Sequence, residues 1–290
     1  MLRAMSEKIT LTAADQHQFA ATVYPASTPG APVLVFFSAL GTPAKVYRHV
    51  GQAMAQQGVH FCAPDWRGID SSSVRASRAL DFGYRHLVEL DMAAVVAVMH
   101  RRFPDSPVWV GGHSMGGQLA LLYAATHPEQ VAGVVLIASG SVHMPAYPPT
   151  MRLGIAAVVA MSRVATGLLG YFPGDRMGFG GREAAGVMRD WAHVARTGRY
   201  QPQGSAVDYE CALAQLERPV LAINFTADSW SPAPAAKALL DKLPSQGGEH
   251  WRWNVQDTEN IALDHFSWTK QAHLIAPALA RYLDRQKRPR

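Results

Sequence analysis

The sequence predicts an α/β fold, a mostly parallel sheet with helices packed on both faces. Three observations carry this. Short continuous apolar runs recur along the chain, Val33-Leu34-Val35-Phe36-Phe37 being the clearest, and such runs mark strands buried on both faces. Between them lie segments whose apolar residues fall at helical spacing. One Gly-x-Ser-x-Gly pentapeptide, Gly112-His113-Ser114-Met115-Gly116, sits where a strand gives way to a helix.

Taken in order, residues 18–24 alternate weakly and read as an early strand. Residues 33–37 form the first fully buried strand, which ends in the loop Ser38-Ala39-Leu40-Gly41-Thr42-Pro43. A helix over 45–57 follows, and Gly58 suits its C-terminal cap. A strand over 59–63 is stopped by Pro64. The stretch 82–103 puts Leu87, Leu90, Ala94, Val95 and Val98 on one helical stripe, and Pro104 ends it. A strand over 108–110, a helix over 115–126 and a buried strand over 131–138 continue the alternation.

The pattern changes near Gly140. Residues 141–208 are rich in Gly, Met, Arg and aromatic residues and open with Pro145, Pro148 and Pro149. Helices are expected over 151–169 and 182–196, and no strand. The alternation then resumes with a strand over 219–225, a helix over 233–243, a strand over 251–255 and a last helix over 267–285. The expected organisation is therefore a core of residues 1–140 and 209–290, interrupted by a helical cap over 141–208.

Composition excludes several classes. With 48% hydrophobic and 17% charged residues, the chain suits a packed globular protein. The net charge of +5 comes partly from the tail Arg285-Gln286-Lys287-Arg288-Pro289-Arg290, read as a solvated end. No basic face with a binding motif points to nucleic acid. Two distant cysteines, Cys62 and Cys211, give neither a metal spacing nor a disulfide framework. Their presence fits a cytoplasmic setting, and the stretch Met1 to Lys8 lacks the apolar core of a signal peptide. The apolar run from Leu153 to Met161, bounded by Arg152 and Arg163, is shorter than the roughly 20 residues a bilayer span needs, so no transmembrane segment is expected.

The pentapeptide is the candidate nucleophile site. Small residues two positions either side of Ser114 let strand and helix approach closely, which leaves the serine on a sharp exposed turn. A serine hydroxyl needs a base, and the base needs an orienting acid. Asp228 follows the strand over 219–225 directly, and loops of this kind meet at the carboxyl edge of a parallel sheet. Asp257, also just after a strand, is the reserve candidate. Of the twelve histidines, His265 alone has the required order and loop placement. His113 should point away from the serine. Two main-chain N–H groups must meet a developing oxyanion. Met115 should supply one, and Leu40, with Ala39 its neighbour, the other. Such chemistry needs no metal or cofactor, and no ligand cluster is evident.

These residues, with Asp65-Trp66-Arg67-Gly68 and Asp264-His265-Phe266, resemble the α/β-hydrolase superfamily. The resemblance runs to its serine-hydrolase branch of monoglyceride-lipase-like, lysophospholipase-like and serine-aminopeptidase-like members, and covers nearly the whole chain. It implies a mostly parallel eight-stranded sheet with a cap between strands six and seven, and a triad of Ser114, Asp228 and His265. Two positions depart from the family pattern. Ser38-Ala39 stands where many members have His-Gly, and Asp70 where a second glycine is common. The expected partner is a small-molecule ester with a lipophilic acyl group, received by the Met-rich cap. Acyl transfer, peptide or amide hydrolysis, and a non-catalytic binding role on the same fold are the alternatives. A carboxylate-nucleophile dehalogenase is excluded by the serine at 114.

Overall fold

The computed structural model describes residues 6–244 and 248–286. The last four residues of the basic tail and the first five of the N-terminal stretch lie outside them. Eight strands form one sheet: β1 (Glu7–Thr12), β2 (Gln18–Tyr24), β3 (Val33–Phe37), β4 (His60–Pro64), β5 (Val108–His113), β6 (Gly133–Ile137), and, beyond the insertion, β9 (Val220–Phe225) and β10 (Gly248–Trp253). Their order is β1-β2-β4-β3-β5-β6-β9-β10, and β2 is antiparallel to both of its neighbours while the other pairs run parallel. This is the doubly covered sheet that the apolar runs predict.

Alternation along β3 shows how both faces are filled. Val33, Val35 and Phe37 point into one core, packed with α2 (Ala93–Arg102) and α3 (Met115–Thr126). Leu34 and Phe36 point into the other, packed with α1 (Arg48–Gln56) and α9 (Ala272–Arg285).

Several elements differ from expectation. The edge strand β1 was not foreseen, because its Glu-Lys-Ile-Thr-Leu-Thr sequence is largely exposed and buries only Leu11. The helix expected over 82–103 is a π-helical stretch, His86–Met92, continued by α2. The last sheet strand lies at Gly248–Trp253, earlier than the expected 251–255, because its pairing with β9 sets the register. The short helix α7 (Tyr209–Ala214), capped by the Asp208 carboxylate accepting the Cys211 N–H at 3.0 Å, was also not foreseen.

The insertion between β6 and β9 contains α4 (Pro149–Leu169), α5 (Gly174–Met177) and α6 (Ala185–Thr197). Contrary to expectation it also contains strands, an antiparallel pair β7 (Tyr171–Pro173) and β8 (Arg182–Ala184). Three residues per strand are too few to leave a period in the sequence. By length and composition α4 is able to cross a membrane, with 21 residues and a mean hydropathy of 1.5, and only 11% of its apolar window is buried. The sequence reading stopped at Arg152 and Arg163, but both lie on this one continuous helix. In the core, α8 (Ala233–Leu240) follows β9.

The Asp65-Trp66-Arg67-Gly68 turn after β4 braces the loop that follows β3. Asp65 Oδ1 accepts the Ala44 N–H at 2.9 Å, and Trp66 Nε1 donates to the Ser38 carbonyl at 2.8 Å. Asp70, at the position where a glycine is common, has φ of +40°. Arg67 is buried between Asp91 (2.6 Å) and Asp15 (2.6 Å), and its hydrogen bonds hold the Asp15 carboxyl down at about 2. His17 completes the cluster, bonding Asp91 at 3.0 Å and Ser72 at 2.9 Å. Replacing Arg67 with Ala leaves Asp91 buried and short of its partner. Arg67→Ala is expected to lower the unfolding free energy by about 3–5 kcal/mol, as read from chemical denaturation.

Candidate active site

Ser114 sits between β5 and α3 with φ of +53° and ψ of −118°, a conformation rare for a residue with a side chain. The turn is possible because strand and helix touch through main chain. A Cβ at Gly112 would lie 2.4 Å from the Gly116 carbonyl carbon, and one at Gly116 would lie 2.2 Å from the Phe37 oxygen. The Ser114 N–H donates to the Ile137 carbonyl at 3.2 Å, and Ser139 Oγ donates to the Ser114 carbonyl at 3.0 Å. Ser139 was not singled out in the sequence. Its only signal is a polar residue just past a buried strand.

Asp228 lies in the loop after β9 with its side chain fully buried. Oδ2 meets His265 Nδ1 at 2.9 Å, and Oδ1 accepts the N–H groups of Trp230 (2.8 Å) and Ser231 (3.0 Å). Three donors thus satisfy the buried carboxylate. They also place the histidine hydrogen on Nδ1, which leaves the Nε2 lone pair free to accept a proton. Asn224, at the end of β9, donates to the Ser231 carbonyl at 3.0 Å and Oγ at 2.9 Å, which pins the Asp228 loop to the sheet. A polar residue inside the apolar run 219–225 was the available clue. The reserve candidate Asp257 is elsewhere, accepting the Asn254 N–H at 2.8 Å in an exposed turn.

His265 is held by a reciprocal cap around it. Asp264 Oδ1 accepts the N–H groups of Phe266 (2.9 Å) and Ser267 (2.7 Å), and Ser267 Oγ accepts the Asp264 N–H at 2.8 Å. The Ser267 N–H, then that of Phe266, hold the Asp264 carboxyl below its usual range. Ser114 and His265 line one cavity of about 510 Å³. Among the described residues no hydrogen bond joins them.

Leu40 and Met115 line the same cavity. The loop carrying Leu40 is fixed through Ala39, whose N–H donates to Tyr47 Oη at 3.0 Å, and that hydroxyl donates onward to His113 Nδ1 at 2.8 Å. Ala39 is thereby engaged, while the Leu40 and Gly41 N–H groups make no hydrogen bond among the described residues. His113 does point away from the cavity. It is buried, and its ring lies 4.6 Å from that of His265. Burial, then the neighbouring His265, push its pKa well down, so it stays neutral. Tyr47 and His113 thus brace a loop in which Ser38-Ala39 replaces the common His-Gly.

The apolar residues of the insertion separate into three groups. Met151, Ile155, Val158 and Phe179 face the cavity, Phe172 is fully buried, and Leu153, Leu168 and Leu169 are exposed. Two arginines of the insertion are engaged within the protein: Arg182 donates to the Ala76 carbonyl and lies over the Tyr171 ring, and Arg189 pairs with Asp81.

Fold and cavity together define a class, and comparison with known proteins names it. Residues 32–165 match the family model described as the alpha/beta hydrolase fold. Over 285 residues the chain is 24% identical to the monoacylglycerol lipase of Mycolicibacterium smegmatis, covering 87% of this chain and 96% of that one. Over 144 residues it is 30% identical to human monoglyceride lipase, covering 50% and 46%. A soluble variant of monoglyceride lipase from Saccharomyces cerevisiae, solved with a substrate analogue, superposes with a TM-score of 0.71 at 13% identity, over 99% of this chain and 97% of that one. The protein has the α/β-hydrolase fold. Its sequence is similar to those of monoacylglycerol and monoglyceride lipases.

One buried acid beside the cavity has a measurable signature. Glu183 on β8 is buried, and burial, opposed by the Gly181 N–H, raises its carboxyl from 4.5 to about 7. A carboxyl raised on folding favours the folded state most below its unfolded pKa, and that advantage is lost as pH climbs through the folded value. Wild type should therefore lose stability between about pH 4.5 and 7. Glu183→Gln, which cannot ionise, should gain on it by about 1–3 kcal/mol between pH 5 and pH 8. Denaturation midpoints of both proteins across that range give the comparison.

Proposed function

We propose that the protein is a carboxylic-ester hydrolase acting on a lipid ester through an acyl-enzyme on Ser114. The observation that carries this reading is the shared cavity of Ser114 and His265, with His265 oriented from behind by the buried Asp228. In this reading His265 Nε2 takes the Ser114 proton as Oγ attacks the substrate carbonyl. Asp228 holds the imidazole tautomer and stabilises the imidazolium. The N–H groups of Met115 and Leu40 receive the oxyanion. His265 then protonates the leaving alcohol, and a water that it deprotonates releases the acid.

The lipophilic acyl preference rests on the cavity wall. Leu40, Val142, Met151, Ile155, Val158 and Trp191 offer an apolar surface, and a volume of about 510 Å³ falls within the range that holds a small amphiphile. At the mouth, Trp230 and Phe266 leave about half of their area exposed. The relatives named as monoacylglycerol and monoglyceride lipases support an ester of this class. The insertion over 141–208 is proposed as the cap that sets specificity, because α4 supplies one wall of the cavity.

Hydrolysis of a p-nitrophenyl ester series from acetate to palmitate tests the reading. Ser114→Ala should lower kcat by about 10⁴-fold or more, and Asp228→Asn by about 10⁴-fold through the wrong imidazole tautomer. Medium-length or longer chains should be preferred. An inactive wild type whose Ser114 escapes a fluorophosphonate probe would refute the proposal.

A further inference from the structure

The loop bearing Leu40 meets the insertion with main chain close against main chain. Gly41 has φ of +66°, and a Cβ there would lie 2.0 Å from the Gly181 nitrogen and 2.3 Å from the Gly180 carbonyl carbon. Leu40 packs on the same turn, its side chain 3.3 Å from where a Gly180 Cβ would be. The Gly180-Gly181 turn precedes β8, and Glu183 on that strand folds back to close it. Glu183 Oε1 accepts the Gly181 N–H at 2.7 Å and lies 2.8 Å from the Cβ position of Gly41. The carboxylate therefore stands where turn and loop meet.

Burying a carboxyl costs stability unless it is fully hydrogen-bonded. Glu183 has only this hydrogen bond among the described residues. Its burial, with the nearby Asp175 adding repulsion, is felt as the raised carboxyl described above. A neutral residue would fill the space more cheaply. A costly group at a contact with the loop that carries Leu40 points to a functional position.

We propose that Glu183 is a positioning residue for the oxyanion loop. By holding the Gly180-Gly181 turn against Gly41 it fixes the direction of the Leu40 N–H, and it makes the chemistry depend on the seating of the insertion. This rests on the ester-hydrolase reading, and deepens it by naming what aligns one of the two oxyanion donors.

The test compares Glu183→Ala, Glu183→Asp and Glu183→Gln with wild type in the full chain. Each is assayed on an oxo-ester and its thiono analogue, because oxyanion donors favour oxygen over sulfur. Gln keeps an acceptor for the Gly181 N–H and should retain most activity. Ala should lose kcat by about 10-fold or more, toward the 10²–10³ known for a missing oxyanion donor. KM should stay within about twofold, and the oxo-to-thiono rate ratio should fall. Asp, one methylene short, should move the same way and serves if Ala does not fold. Hydrogen exchange of the 38–42 main chain should quicken in Ala and Asp. Folded Ala or Asp variants with the wild-type ratio and unchanged exchange would overturn the proposal. An inactive wild type would instead count against the ester-hydrolase reading, and the exchange measurement would still judge the placement of Glu183.

Discussion

The turn at Ser114 is the constraint on which the rest of the site depends. A non-glycine residue at φ of +53° costs of order 1–3 kcal/mol and persists only where its surroundings over-determine it. Here three strands share that task. β5 delivers the serine, β6 receives its N–H through Ile137, and the end of β3 lies against Gly116 through the Phe37 oxygen. Strand order places these three side by side. The sheet is therefore the jig that makes the strained turn affordable, and the same jig sets Leu40, just past β3, on the serine's flank.

Electrostatics complete what the jig begins. Asp228 is buried, and such a group is stable only if its charge is answered. Two main-chain N–H groups and His265 Nδ1 answer it. The arrangement costs little in stability and leaves one histidine tautomer. The Arg67 cluster works on the same principle but away from the cavity. Its charges are spent on one another, and its consequence for the site is indirect, through the turn that carries Asp65 and Trp66 to the loop after β3.

Legibility in the sequence followed the range of the interactions. β3, β6 and β9 were readable because burial on both faces writes a continuous apolar run. Ser114 was readable because its motif is local, and His265 because chain order and loop placement left no competitor. Asp228 and Asp257 were not separable by any local rule, since both follow strands; only tertiary placement distinguishes them. The Tyr47–His113 bridge joins residues 66 apart, and Ser139 reaches back 25 residues to the serine carbonyl, so neither leaves a pattern in any window. β1 and the β7–β8 pair failed for another reason. They are short or exposed, and their pairing outweighs their weak individual preference.

The departures from the family pattern show how the chain compensates. With Ser38-Ala39 in the loop, no imidazole is available there to brace it. The bracing comes instead from Tyr47 on one side, through the Ala39 N–H, and from the Gly180-Gly181 turn on the other, through Gly41. The first support belongs to the core and the second to the insertion. If this is the oxyanion loop, as proposed, its clamping from both sides ties the proposed chemistry to the proposed specificity element. A substrate that seats the insertion well would then also align the proposed donor at Leu40, so binding energy from the acyl chain would be expressed in the rate of the chemical step as well as in affinity.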